Sequence, residues 1–129
     1  MTIELHWMLL TVLMTGLFWV PYVLERMAVR GIVGTLGDSD KPQAAWAQRA
    51  IRAHGNAVEN LAIFVPAVLA LHVLAISTPT TQMAATVYFY ARLGHFIVLT
   101  AGLPVVRTLT FLTGWAAQMV LLAAALGWA

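Results

Sequence analysis

The sequence predicts an all-α integral membrane protein built as an antiparallel four-helix bundle, and three observations carry that prediction. Hydrophobic residues make up 61% of the chain and charged ones 9%, with a mean hydropathy of +0.84, whereas soluble globular domains carry roughly 25% charged residues. Four stretches poor in charge each approach the about 20 apolar residues that a spanning helix requires. The segments between most of them are short and rich in turn residues, and short connections join antiparallel neighbours. At 129 residues the chain reads as a single four-helix domain.

The first helix is expected over about 4–30, its apolar run Leu5 to Leu24 lying between Glu4 and Glu25. The start, MTIELHW, has no basic region and no small-residue cleavage site follows, so this segment reads as a mature helix and not as a signal peptide. The second is expected over about 44–76. It is apolar from Leu61 to Ile76 and begins near Ala44 as a helix projecting from the membrane. STPTT at 77–81 then breaks the chain, because proline removes a backbone donor and biases its predecessor away from helix. The third span, about 82–102, is interrupted by Arg92 and His95. After the turn GLP at 102–104, a fourth helix is expected over about 105–128. The one long connection, GIVGTLGDSDKPQAA at 31–45, has three glycines and the turn sequence DSDKP, and reads as a flexible loop.

Basic residues set the expected orientation. Arg26, Arg30, Lys41, Arg49 and Arg52 flank the first loop and Arg107 sits by the last, whereas the 77–81 turn has no charge. The positive-inside rule then puts those two loops in the cytoplasm and both termini outside, periplasmic if the membrane is a bacterial inner membrane. The charge of +2 is therefore a topology signal. Nucleic-acid binding would need a basic surface interleaved with exposed aromatics, which this sequence lacks. With no cysteine, disulfides, thiolate metal sites and a protein thiol nucleophile are excluded. The histidines at 6, 54, 72 and 95 have no metal-binding spacing and fall at different heights, so no metal site is expected.

Helical spacing gathers the polar groups into stripes. At 100° per residue, Arg52, Asn56 and Glu59 lie within about 60° of one another. Tyr88, Arg92, His95 and Leu99 form a stripe on the third helix, and Trp19, Tyr22, Arg26 and Arg30 on the first. Arg52 to Glu59 fall at the cytoplasmic boundary, His95 roughly 10 Å inside it and Arg92 near the middle. A buried arginine costs about 2.5 to 3.5 kcal/mol on insertion scales, so these residues are expected to face the bundle interior. Glu59 is the expected anionic partner of Arg30 or Arg92. Lys41 and Arg49 read as interfacial anchors, the tryptophans and Tyr22 as belt or packing residues, and His54 and His72 as packing residues. Three helices thus direct arginine toward one cytoplasm-facing cavity with too few carboxylates to neutralise it, an arrangement suited to an anion.

The segment RAHGNAVEN at 52–60, of the form R-x-H-x-N-x-x-E, resembles the second-helix signature of the MAPEG family, membrane-associated proteins in eicosanoid and glutathione metabolism. PYVLER at 21–26 with Arg30 after it, RLGH at 92–95 and GLPVVRT at 102–108 extend the resemblance over nearly the whole chain, and the nearest likeness is to bacterial members of unassigned substrate. The resemblance implies a homotrimer that holds glutathione as cosubstrate between subunits near the cytoplasmic side. Arg52, Asn56, Glu59 and His95 would then bind the tripeptide, Glu59 taking its amino group, with Arg30 and Arg92 on its carboxylates. Arg107 would stabilise the thiolate, beside the hydroxyl of Thr108. The implied activity is a glutathione transferase or peroxidase acting on a lipophilic molecule that enters from the membrane lipids. Leu99 stands where active members carry a tyrosine, and the family also includes a non-catalytic lipid-binding member, which supplies the alternative reading. A small four-helix exporter would need a membrane-embedded carboxylate in its first helix, but Glu25 lies at that helix's end beside Arg26.

Overall fold

The computed structural model describes residues 1–37 and 39–128, and these form five helices: α1 (Ile3–Leu17), α2 (Trp19–Leu36), α3 (Ala45–Val73), α4 (Pro79–Ala101) and α5 (Pro104–Ala125). The helix expected over 4–30 is interrupted at one residue: Phe18 keeps right-handed helical dihedrals, φ −65° and ψ −16°, and α1 and α2 run on as one apolar segment, Ile3–Leu36. Proline lacks an N–H and crowds the carbonyl four residues earlier. Pro21 does this to Leu17, the last residue of α1, and the Phe18 amide turns instead to the Thr15 carbonyl at 3.3 Å. A second break follows at Gly31, whose φ of 70° lies in the region that favours glycine. The helix beginning at Trp19 therefore holds helical geometry to Arg30 before the chain turns.

α4 also departs from expectation, beginning at Pro79 and not near Gln82. The proline read as a breaker occupies the first turn of the helix, where its missing N–H has no partner to lose. Thr78 and Thr81 close a reciprocal capping box around it, with bonds of 3.2 and 2.9 Å. At its other end α4 stops at Gly102, in the left-handed region at φ 81°, and the Leu103 amide bonds back to the Val98 carbonyl at 3.0 Å. Pro104 then opens α5, so the reversal is tight and α4 and α5 pack extensively together.

Three segments are long and apolar enough to cross a membrane: Ile3–Leu36, Ala45–Val73 and Pro104–Ala125. The sequence reading counts four. α4, at 23 residues, has the length, but Gln82, Arg92 and His95 spread along it lower its hydropathy, and Thr81, Tyr88, Arg92 and His95 on it are buried. It is the helix against which α1, α3 and α5 all pack. The bundle's outside is apolar, with Leu13, Ile97, Leu109 and Leu112 among its exposed residues, while alanines at 50, 53, 57, 67, 85 and 117 bring the helices close within it. Polar residues lie inside: Glu4, Arg92, His95 and Gln118 are all buried.

The connection between α2 and α3 is pinned, a correction to the flexible loop expected from its composition. Buried Gln43 donates to the Tyr22 carbonyl at 2.8 Å and to Glu25 at 2.7 Å, and accepts from Arg26 Nε at 2.9 Å. Glu25 also accepts from the Ala44 amide at 3.0 Å, placing a carboxylate at the start of α3 where the helix dipole favours one. Asp38, within the turn sequence, lies outside the described residues.

Candidate functional site

Near the α4–α5 reversal, three helices enclose a cavity of about 330 Å³ lined by Arg52 and Asn56 of α3, His95 and Leu99 of α4, and Arg107, Thr108 and Phe111 of α5. The tight turn after Gly102 places the first turn of α5 beside the last turns of α4. Arg49 fastens this corner to α3: its Nε donates to the Thr100 carbonyl at 3.0 Å, and its guanidinium lies so close over Gly102 that a Cβ there would stand 3.2 Å from Arg49 Cζ. The cation thereby caps the C-terminal end of α4, where the dipole favours positive charge. Arg49 is thus a clamp between helices, more specific than the interfacial anchor that its sequence position suggests.

Five of the eight residues singled out in the sequence line this cavity: Arg52, Asn56, His95, Arg107 and Thr108. Arg92 lies behind the wall, 2% exposed, and one of its terminal nitrogens donates to Asn56 Oδ1. Arg30 sits on α2 and donates to the Lys41 carbonyl at 2.8 Å, away from the lining. Glu59 is exposed on α3, outside the lining. The ion pair expected between Glu59 and Arg30 or Arg92 does not form, because both arginines take oxygen partners nearer to hand. Asn56 and Glu59 stand about 60° apart around α3, and the cavity takes the Asn56 side.

Among the described residues, the lining contains two guanidinium groups and no carboxylate. His95 is buried, and its Nδ1 has no protein partner among the described residues. A buried polar atom left unbonded is costly, and this one is closed off from solvent. Thr108 bonds only its own helix, to the Pro104 carbonyl at 3.2 Å. The wall can therefore hold an anion by charge-assisted hydrogen bonds, while Leu99 and Phe111 give it an apolar side. Phe111 was missed in the sequence, although it lies one turn beyond Arg107 on the same face of α5. Tyr22 and His54 form a separate pair, hydroxyl to Nδ1 at 2.7 Å, in keeping with the packing roles expected of them.

A larger groove of about 630 Å³ runs along α4 and α5 away from this corner, lined by residues such as Met83, Val87, Ala117 and Val120. It contains no charged group. The charged cavity, though smaller, is where chemistry could occur.

Among known proteins, the sequence model of the MAPEG family matches residues 5–127. No curated protein and no solved structure matches the chain.

Proposed function

The chain belongs to the MAPEG family, and we propose that it is a glutathione-dependent membrane transferase or peroxidase whose thiol substrate binds in the cavity between α3, α4 and α5. The observation that carries this reading is the cavity wall itself, where Arg52, Asn56 and Arg107 converge from two helices with no carboxylate among them. Glutathione brings two carboxylates and the thiol that this cysteine-free chain lacks. Arg52 and Asn56 hold the tripeptide, and Arg107 faces the sulfur.

A free thiol has a pKa near 8.5, and a neighbouring guanidinium favours the thiolate. Arginine stays protonated and so acts by its charge, not as a base. Two unit charges about 4 Å apart interact by roughly 4 kcal/mol at an effective dielectric of 20, ample to make the thiolate the main form at neutral pH. In a transfer, the sulfur forms a bond to an electrophilic carbon, and the displaced electron pair leaves on the departing group or on an opened-ring oxygen that takes up a proton. In a peroxidase cycle, the thiolate attacks a peroxide oxygen, releasing alcohol and leaving a sulfenic acid, which a second glutathione converts to disulfide and water. Leu99 and Phe111, in the wall of the same cavity, offer a lipophilic partner an apolar surface beside the sulfur.

We place the basic loops in the cytoplasm and both termini outside, in a bacterial inner membrane. Assembly as a homotrimer accounts for Glu59 and Arg30, which lie off the cavity of their own subunit: a neighbour on the exposed α3 face would bring the Glu59 carboxylate within reach of the glutathione amine. A second reading, a non-catalytic lipid-binding protein, is favoured by Leu99, which puts an apolar side chain in the cavity wall where a hydroxyl would serve the thiol. Calorimetric titration of the detergent-solubilised protein with reduced glutathione separates them. Saturable binding that Arg52→Ala abolishes supports the glutathione site; no binding at millimolar ligand overturns it and leaves the lipid-binding reading.

A further inference from the structure

We propose that Arg92 is a positioning residue that locks the Asn56 side-chain amide so that the cavity wall presents hydrogen-bond donors only. The lock stands on geometry. Its consequence for the substrate rests on the glutathione reading.

A guanidinium has donors and no acceptor, so the atom of Asn56 that meets Arg92 is Oδ1. Asn60, one turn along α3, points Nδ2 at the same oxygen at 3.4 Å and at the Asn56 carbonyl at 2.8 Å. With Oδ1 engaged by a buried cation, Nδ2 is the amide atom turned to the cavity, beside Arg52 and Arg107. An amide free to flip could offer a ligand either an acceptor or a donor. Locked, it adds to the positive wall and selects for anions.

A second set of buried bonds lies deeper in the bundle core. Gln118 lies on the same face of α5 as Arg107, three turns away. It donates to the Asn60 carbonyl at 3.0 Å and to the Tyr88 hydroxyl at 3.2 Å. Tyr88 in turn stacks on Phe64, ring centroids 3.9 Å apart. Tyr88, Arg92 and Gln118 are each 2% exposed or less, so water cannot readily replace the bonds they make. Of these three, Arg92 alone reaches the Asn56 amide, while Gln118 and Tyr88 hold the next turn of α3 at the Asn60 carbonyl, and none of them lines the cavity.

The chain has only two asparagines, Asn56 and Asn60, so protein labelled with [15N]asparagine gives two side-chain NH2 signals, assigned with Asn60→Ser. In the wild type the Asn56 NH2, facing the cavity, exchanges with water at least ten-fold faster than that of Asn60, and reduced glutathione shifts the Asn56 signal more. Arg92→Met releases the amide: the Asn56 signals move or broaden, and glutathione affinity falls about ten-fold. Asn56→Ala costs a similar factor, and the double variant loses no more than the larger single loss. Arg92→Lys, a cation with donors alone, restores the wild-type signals, while Gln118→Leu, which removes the bond to the Asn60 carbonyl, shifts the Asn60 signal more than that of Asn56. Unchanged Asn56 signals in Arg92→Met, or losses from Arg92→Met and Asn56→Ala that multiply, overturn the lock. If Arg92→Met does not fold, the wild-type spectra decide: an Asn56 NH2 protected from exchange as well as that of Asn60 overturns the lock. If the wild type binds no glutathione, the functional reading fails while the two amide signals still test the lock.

Discussion

Replacing Arg49 with methionine tests whether the corner that forms the cavity is held by one side chain. Methionine keeps the length and apolar stem of arginine but removes the bond from Nε to the Thr100 carbonyl and the charge at the end of α4. A hydrogen bond from a charged donor contributes about 1.5–3 kcal/mol, and a cation in the last helical turn about 0.3–1 kcal/mol. Because the contact is partly buried, solvent screens it little, and the expected loss is about 2–4 kcal/mol. Arg49→Lys should recover about 0.3–1 kcal/mol, since it restores charge without the planar group that lies over Gly102. Denaturation by sodium dodecyl sulfate in mixed micelles, followed by circular dichroism, measures both variants. The same substitution should weaken glutathione binding several-fold, because Arg107 is carried on the turn that Arg49 fixes. Equal stability of Arg49→Met and wild type, or full recovery by lysine, would refute the clamp.

Two further predictions concern parts of the fold that the sequence reading did not anticipate. Gln43→Ala removes three side-chain bonds that tie the α2–α3 connection to α2. It should cost about 1–3 kcal/mol and speed hydrogen–deuterium exchange of the Ala44 amide, which the same Glu25 carboxylate holds; exchange at the wild-type rate would contradict the pinning. Buried Glu4 accepts bonds from Ser77 at 3.0 Å and Thr81 at 2.7 Å, joining α1 to the start of α4. Glu4→Leu should destabilise by about 1–3 kcal/mol, and Glu4→Gln by less, since it keeps one acceptor oxygen. A melting temperature that ranks the two in the opposite order would count against this account of the junction.

The membrane-like composition and the polar stripes were legible in the sequence because both follow from helical spacing and hydropathy. Arg52, Asn56 and His95 share the cavity as their stripes suggested. Spacing shows which residues share a face of a helix but not how far that helix is turned toward its neighbours. That is why Glu59, only about 60° from Asn56, was placed with it and yet lies outside. The break after Leu17 had a signal in Pro21, which can be read once the carbonyl four residues back is considered. Pro79 misled in the opposite direction, since a proline at the start of a helix and one inside it look alike until the Thr78–Thr81 cap is recognised. Gln43 and Gln118 could not be found by pattern at all: the partners of their side chains are 17 to 58 residues away in the chain, on helices whose contacts appear only in three dimensions.

The central claim is that the cavity holds glutathione as its thiolate, and the ultraviolet difference spectrum of the protein mixed with reduced glutathione at neutral pH tests it most directly. A thiolate band that saturates with glutathione and disappears in Arg107→Leu is the expected result. Saturable binding without that band, or a band of equal strength in Arg107→Leu, would contradict it.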